Sequence, residues 1–543
     1  MHLRRTCTSR RRAPFGFVTA VTLALSAALL PACSPPTPGS SGTGGKDTLT
    51  LATNTGGLNL NPMLGVSRTD QWITSLMYPS LLELKTDGSF VPSLATKWGY
   101  ENPLKAYVEI RDDMRWSDGT PLTADDVAFT FNATKKHKIV SGLAYAYARN
   151  TESAKAVSKT RVEFTLARPD RVVLEVGIGF WMKIVPKHVF SKVGDLNKFT
   201  NNKDWVSAGP YNLTKVVPGY SYTLERVTPF PLAPSDTPIM KTINYRVYPD
   251  VNSEILALRN GEVDAIANPL PPVQSNILRK TEGLKIVKVP GIGFTDVTFN
   301  MKRKPFNSVL VRKAFAHAID NEDIRKTVFQ GQARSTHSGP IPASLEKYFD
   351  PSLKEYEYDP ELSRRLMRKA GFKADEDGMF PGTYELIYSL QDIGSVQMVD
   401  LIKESAAKAG LRIKPRGMER NTWLAKRVAG DFDIYTGNFG INFGPGSLAN
   451  LLLPGGPNNF SFVNDPSLTA QVQKALTTSG ETQVQTVHAI SKRVHDEVID
   501  DVIMTQDFYY AYSSALSGFI VRPSDVLSIV TARSIANVKR TTD

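Results

Sequence analysis

Cysteine is nearly absent from this 543-residue chain, which holds only Cys7 and Cys33. Cys7 falls in what reads as a removable leader, so the folded part has no disulfide framework. Long apolar runs are equally scarce. The one uninterrupted stretch, Phe15 to Leu30, has 16 residues, short of the roughly 20 needed to span a bilayer but suited to the core of a secretory signal. With no second such run, the chain is neither a multi-span permease nor a transmembrane receptor. No dense Lys/Arg run with interleaved aromatics occurs, which removes support for nucleic-acid binding. Catalytic signatures are missing too: there is no Gly-x-Ser-x-Gly, His-Glu-x-x-His or Cys-x-x-Cys. Lys46 follows a glycine run, but Asp47 stands where a phosphate loop needs Ser or Thr. The seven histidines are scattered; His317 sits in a helical pattern as a structural residue, and His495-Asp496-Glu497 reads as a solvated helix face. These absences favour a binder over an enzyme, and no cofactor or metal is implied.

What is present begins at the amino end. Arg4, Arg5, Arg10, Arg11 and Arg12 precede the apolar run, and Leu30-Pro31-Ala32-Cys33 closes it. Basic head, apolar core and a small residue before cysteine resemble a bacterial lipoprotein leader, after which Cys33 is acylated and residues 1–32 are removed. Ser34 to Gly45 contains only Ser, Pro, Thr and Gly. Such a segment cannot bury a core; its twelve residues reach about 20 Å on average. The expected arrangement is a lipidated cysteine and flexible tether over 33–46, holding an extracytoplasmic protein at the outer face of the cell membrane. Loss of the leader takes the formal charge from +12 to +7 and leaves 511 residues, enough for two or three domains. With 41% hydrophobic and 22% charged residues, the composition is that of an ordinary globular protein.

Along the folded part, Thr48 to Thr53 reads as a strand. Asp70 to Leu82 carries Trp72, Ile73, Leu76 and Met77 at helical spacing. Tyr107 to Arg111 alternates as a strand. The aspartates of the stretch Arg111 to Val127 invite a metal reading, but no glutamate closes a calcium loop there. Ser117-Asp118-Gly119 instead makes a turn, and Thr123 with Asp126 forms a capping-box pair that starts a helix. Farther on, Asp359 caps a helix with Pro360 at its first position and Gly371 just past its end. Met398 to Ala409 ends at Gly410 and leads into Leu411-Arg412-Ile413. Two helix–glycine–apolar units in succession suggest crossovers in a parallel or mixed sheet.

Several of these stretches together resemble one family. They are Tyr78-Pro79-Ser80-Leu81-Leu82, Val91-Pro92-Ser93-Leu94-Ala95, Trp116 to Phe131, Gly209-Pro210-Tyr211, Asn260-Gly261-Glu262-Val263-Asp264 and Thr298-Phe299-Asn300. Pro305-Phe306 with Val311 to Asp320, and Tyr358-Asp359-Pro360 with Ala370-Gly371-Phe372, complete the set. In this order they are similar to the bacterial family 5 solute-binding proteins, the oligopeptide- and dipeptide-binding type serving ABC importers. The resemblance implies an α/β clamshell of the periplasmic-binding-protein type II kind, three domains in two lobes joined by a hinge. Domain I would comprise 47–82, 205–292 and 508–543; domain II, 83–204; domain III, 293–507. Phe299-Asn300 resembles the interlobe crossover.

The same resemblance implies a ligand enclosed between the lobes, pairing by strand addition with Val66-Ser67-Arg68 and with the segment Asn438, Phe439, Gly440, Ile441, Asn442. Trp423 falls in the family's site region. Peptide binders place an aspartate for the ligand's α-ammonium where this chain has Asn442, and a neutral amide cannot supply that charge-assisted bond. The expected partners are a small-molecule or peptide ligand and the permease subunits of an ABC transporter, with the receptor a monomer. Three functions stay open: a peptide-class importer receptor; the same fold binding an oligosaccharide or other neutral solute, with Trp423 and Phe439 as stacking platforms; and a secreted enzyme or cell-wall interaction protein.

Overall fold

A computed structural model describes residues 45–56, 59–64, 67–139, 150–523 and 527–541. The leader, Cys33, most of the tether and Val66 lie outside them.

Three sheets organise the described chain. The first has seven strands, running from edge to edge Leu284–Val289, Phe508–Ser513, Ala265–Ile266, Thr48–Thr53, Thr242–Val247, Ser221–Arg226 and Tyr211–Val217. Thr48–Thr53 lies inside this sheet, parallel to Thr242–Val247 on one side and to Ala265–Ile266 on the other. Both its faces are covered, so five of its six residues are buried, as expected of an interior parallel strand. The second sheet is an antiparallel set of four, Ala95–Asn102, Lys105–Ile110, Arg161–Leu166 and Thr151–Ala156. Lys105–Ile110 alternates, with Ala106, Val108 and Ile110 buried. That face joins Phe131 and Phe164 in one continuous core with Leu49 and Leu51 of the first sheet. Those two sheets therefore form one lobe.

The third sheet has six strands in the order Ala333–Arg334, Asp501–Gln506, Phe294–Phe299, Ile434–Phe439, Thr383–Ser389 and Arg412–Met418. It carries its own core of Val297, Phe299, Phe315, Leu386, Ile402 and Ile503. Thr383–Ser389 and Arg412–Met418 are parallel and joined by the helix Ser395–Lys408, the crossover that the Gly410 stop suggests. Gly410 has φ +80°, a left-handed turn that ends the helix before the strand begins. One helix earlier, Asp359 accepts a hydrogen bond from Leu362 N at 2.8 Å and Pro360 opens the first turn.

The aspartate-rich stretch is structural. Asp126 accepts hydrogen bonds from Thr123 N at 2.9 Å and Lys187 N at 2.8 Å, starting the helix Ala124–Lys136. Asp118 lies 2.7 Å from His188 Nε2, Asp125 meets Lys187 Nζ at 3.0 Å, and Asp113 pairs with Arg111. His317 Nδ1 sits 2.8 Å from the Glu357 carbonyl, as befits a structural histidine. His495 departs from the solvated-face reading, because its ring stacks on Tyr356 with centroids 4.7 Å apart.

The chain crosses between the lobes twice, from Val289 to Phe294 and from Gln506 to Phe508. This corrects the expectation that Phe299-Asn300 is the crossover. Phe299 pairs with Ile434 inside the third sheet, and Asn300 Nδ2 donates to the Gly430 and Phe432 carbonyls. Asp507, buried at the second crossing, ties the crossings together. It accepts from Gly291 N at 3.2 Å, from Lys288 Nζ at 2.7 Å and from Arg334 Nη2 at 2.8 Å. Lys288 belongs to the first lobe and Arg334 to the second.

Candidate ligand-binding site

Between the lobes lies a cavity of about 1050 Å³. That is at the top of the roughly 300–1,000 Å³ usual for enclosed small-molecule sites. From the first lobe its wall includes Ser67 and Arg68. Ser67 caps the helix Arg68–Met77, its Oγ accepting from Asp70 N at 3.0 Å. From the second lobe the wall runs continuously from Thr436 to Ile441, which brings in Asn438, Phe439, Gly440 and Ile441.

The strand Ile434–Phe439 is half paired at this wall. On one side it is antiparallel to Phe294–Phe299 along its full length. On the other, Thr383–Ser389 pairs only with Ile434 and Tyr435. From Thr436 to Phe439 the second edge has no neighbouring strand among the described residues. Four residues at about 3.3 Å each give some 13 Å of open backbone edge, room for three or four residues of an extended ligand. An open edge of this kind accepts another strand through main-chain hydrogen bonds, without reading side chains.

Trp423 and Asn442 are not on the wall. Trp423 is 2% exposed and packs behind the strand, its ring 6.2 Å from that of Tyr435, with the Arg427 guanidinium 4.2 Å above it. A Cβ on Gly437 would come within 3.1 Å of that indole, so the glycine lets the strand lie flat upon it. Trp423 supports the edge and is no stacking platform. Asn442 is fully buried; its Nδ2 donates to the Pro340 carbonyl at 2.8 Å and its Oδ1 accepts from Gly444 N at 2.7 Å. Both ends of the amide hold its own loop, so Asn442 says nothing about a ligand ammonium.

Apart from Arg68, the sequence does not point to the charged wall residues. Arg420 pairs with Asp392 at 2.7 Å. Glu83 meets Arg522 Nη2 at 3.1 Å and Arg533 Nε at 3.2 Å. Lys183 also lines the cavity. These positions are scattered from 83 to 533, and only Lys183 left a signal, as the one cation in the run Val172 to Val185, whose only other charged residue is Glu175. Beside the cavity, Phe443 of the second lobe stacks on Phe90 at 6.2 Å and lies 5.7 Å from Phe180, both first-lobe residues. This aromatic contact and the hydrogen bond from Arg171 N to the Leu476 carbonyl, 2.8 Å, hold the lobes together at the rim.

Two lobes, two short crossings and an enclosed cavity walled by both define a hinged solute-binding protein. The fold recurs in the ABC transporter substrate-binding protein CtaP of Listeria monocytogenes, with a TM-score of 0.78 and 21% identity over 91% of this chain and 99% of that one. The periplasmic oligopeptide-binding protein OppA of Salmonella typhimurium is 24% identical over 80% of this chain and 82% of its own length. The dipeptide-binding protein of Escherichia coli K12 is 25% identical over 68% and 72%, respectively. The model of bacterial extracellular solute-binding proteins, family 5 Middle, matches residues 89–459, and the chain belongs to that family.

Proposed function

We propose that the protein is an extracytoplasmic receptor that captures a peptide or peptide-like solute and delivers it to the permease subunits of an ABC transporter. The observation that carries this reading is the open edge Thr436–Phe439 on the cavity wall, which suits an extended backbone. The relatives named for oligopeptide and dipeptide binding support it. Ligand-binding positions in this reading are Val66, Ser67, Arg68, Asn438, Phe439, Gly440 and Ile441. This reading keeps three domains, domain I around the seven-stranded sheet, domain II around the four-stranded one and domain III around the six-stranded one, a division that the separate sheets support. The neutral-oligosaccharide reading loses one of its two stacking platforms with Trp423 buried.

A melting assay with a mixed-sequence pentapeptide pool beside a panel of neutral oligosaccharides tests the reading. A ligand that binds only the folded state at 100 times its Kd adds about 2.7 kcal/mol, a shift of several degrees. Peptides are expected to raise the midpoint; a rise with oligosaccharides alone would refute the peptide reading.

The receptor works as a monomer held at the membrane by a lipid on Cys33, with residues 34–45 as its tether. Cys33→Ala should move the protein from the membrane fraction into the medium. Full membrane retention of the variant would end the lipid-anchor reading.

A further inference from the structure

One corner of the cavity carries a surplus of positive charge that its own residues do not neutralise. Three cations, Lys183, Arg522 and Arg533, line the cavity with a single carboxylate, Glu83, among them. Glu83 is committed: one oxygen faces Arg522 and the other Arg533. No hydrogen bond or ion pair reaches Lys183 Nζ among the described residues. Arg522 Nε, buried at the same corner, has no hydrogen-bond acceptor either.

The backbone is built to bring these groups together. Lys183 follows Leu174–Trp181, a π-helix, a rare winding that tends to occur at functional sites. Gly179 within it lies so close to Leu82 that a Cβ would come within 2.5 Å of the leucine side chain. Leu82 opens the strand Leu82–Leu84 that carries Glu83, and Ser80 bridges Lys183 through the backbone. A lysine so enclosed, walled by protein yet open to the cavity, is costly to leave charged without a partner. Burial accordingly pulls its pKa down to about 8, against the pull of Glu83 in the other direction.

We propose that Lys183 is the ligand's anion anchor, taking a carboxylate of the bound solute at a subsite whose positive field Arg522 and Arg533 reinforce. The source is the terminal carboxylate of a peptide or the carboxylate of an acidic side chain. Either supplies the charge-assisted hydrogen bond that Lys183 lacks. The assignment rests on the peptide reading above and adds to it which chemistry the ligand must carry.

The test uses three pentapeptide pools on the full-length folded domain. The first lacks Asp and Glu and has free C-termini; the second is the same pool amidated; the third is amidated but carries one Glu. Affinities are measured for wild type, Lys183→Met and Lys183→Arg, with the melting midpoint of each empty variant confirming that it folds. Wild type is expected to bind at least one carboxylate-bearing pool about tenfold or more tighter than the amidated acid-free pool. Lys183→Met should remove that preference, and Lys183→Arg should retain much of it. The first pool against the third identifies the source of the carboxylate. Equal binding of all three pools by wild type, or a preference that survives in Lys183→Met, overturns the anchor with the peptide reading intact. Binding of none of the pools overturns both.

Discussion

Asp501→Asn should make the protein more stable at pH 8 and flatten its dependence on pH. Asp501 is fully buried, and neither of its carboxylate oxygens has a hydrogen-bond partner. Burial, aided by the negative charges of Glu355 and Asp296, pushes its pKa up to about 7. Asp296 and Asp500 stand beside it, both also raised chiefly by burial. The Thr298 hydroxyl lies 2.9 Å from Asp296 Oδ2 and 2.6 Å from Asp500 Oδ1 and can donate to only one, while Tyr435 donates to Asp296 at 3.0 Å. Glu355 is paired with Arg325, which reduces but does not cancel its field. The sign follows from the proton balance. The native state holds a proton on Asp501 that the unfolded state has released above about pH 4, so stability falls as pH rises from there to about 7 and then levels off. Each pKa unit corresponds to about 1.4 kcal/mol, so the neutral amide should recover a few kcal/mol at pH 8. Urea unfolding at pH 5.5 and pH 8 measures both effects. A variant less stable than wild type at pH 8, with the slope unchanged, would show that Asp501 is not held as a neutral acid.

Gly293→Ala should be among the most damaging single-methyl changes in the chain. At the first crossing a Cβ on Gly293 would lie 1.9 Å from the Phe439 carbonyl oxygen and 2.6 Å from Gly440 C, all backbone and unable to swing aside. The third sheet must open there or the crossing must shift. Overpacking typically costs about 1–3 kcal/mol and more where backbone must move, so a loss of at least 3 kcal/mol is expected. Because Phe439 and Gly440 are on the cavity wall, peptide affinity should fall as well. Gly194→Ala serves as the control, since a Cβ there meets nothing within 4 Å. Equal melting midpoints for Gly293→Ala and wild type would mean that the crossings are not packed as described.

Local rules of sequence carried far. The strand Thr48–Thr53, the Thr123–Asp126 cap, the Asp359-Pro360 helix start and the parallel crossover around Gly410 were all readable because each depends on neighbours within a few residues. The crossing points were not. Phe294–Phe299 is buried at every position, so nothing in its pattern marks where a lobe ends, and Asn300, which resembles the family's crossover, is an anchor to Gly430 and Phe432. Trp423 and Asn442 were misread for a related reason. An aromatic or an amide near a site can face the ligand or brace the wall, and only the packing of Gly437 and the loop at Pro340 decides between them. The Glu83–Arg522–Arg533 cluster joins residues more than 400 positions apart, beyond the reach of spacing arguments.

The central claim is that a solute is enclosed between two lobes that close upon it through the crossings at Val289–Phe294 and Gln506–Phe508. X-ray scattering of the protein, empty and saturated with the peptide pool that raises its melting midpoint, tests this most directly, since hinge closure draws the lobes together. The radius of gyration is expected to fall on saturation, toward the arrangement in which Phe443 meets Phe90 and Phe180 at the rim. Superimposable curves from empty and saturated protein would contradict the account.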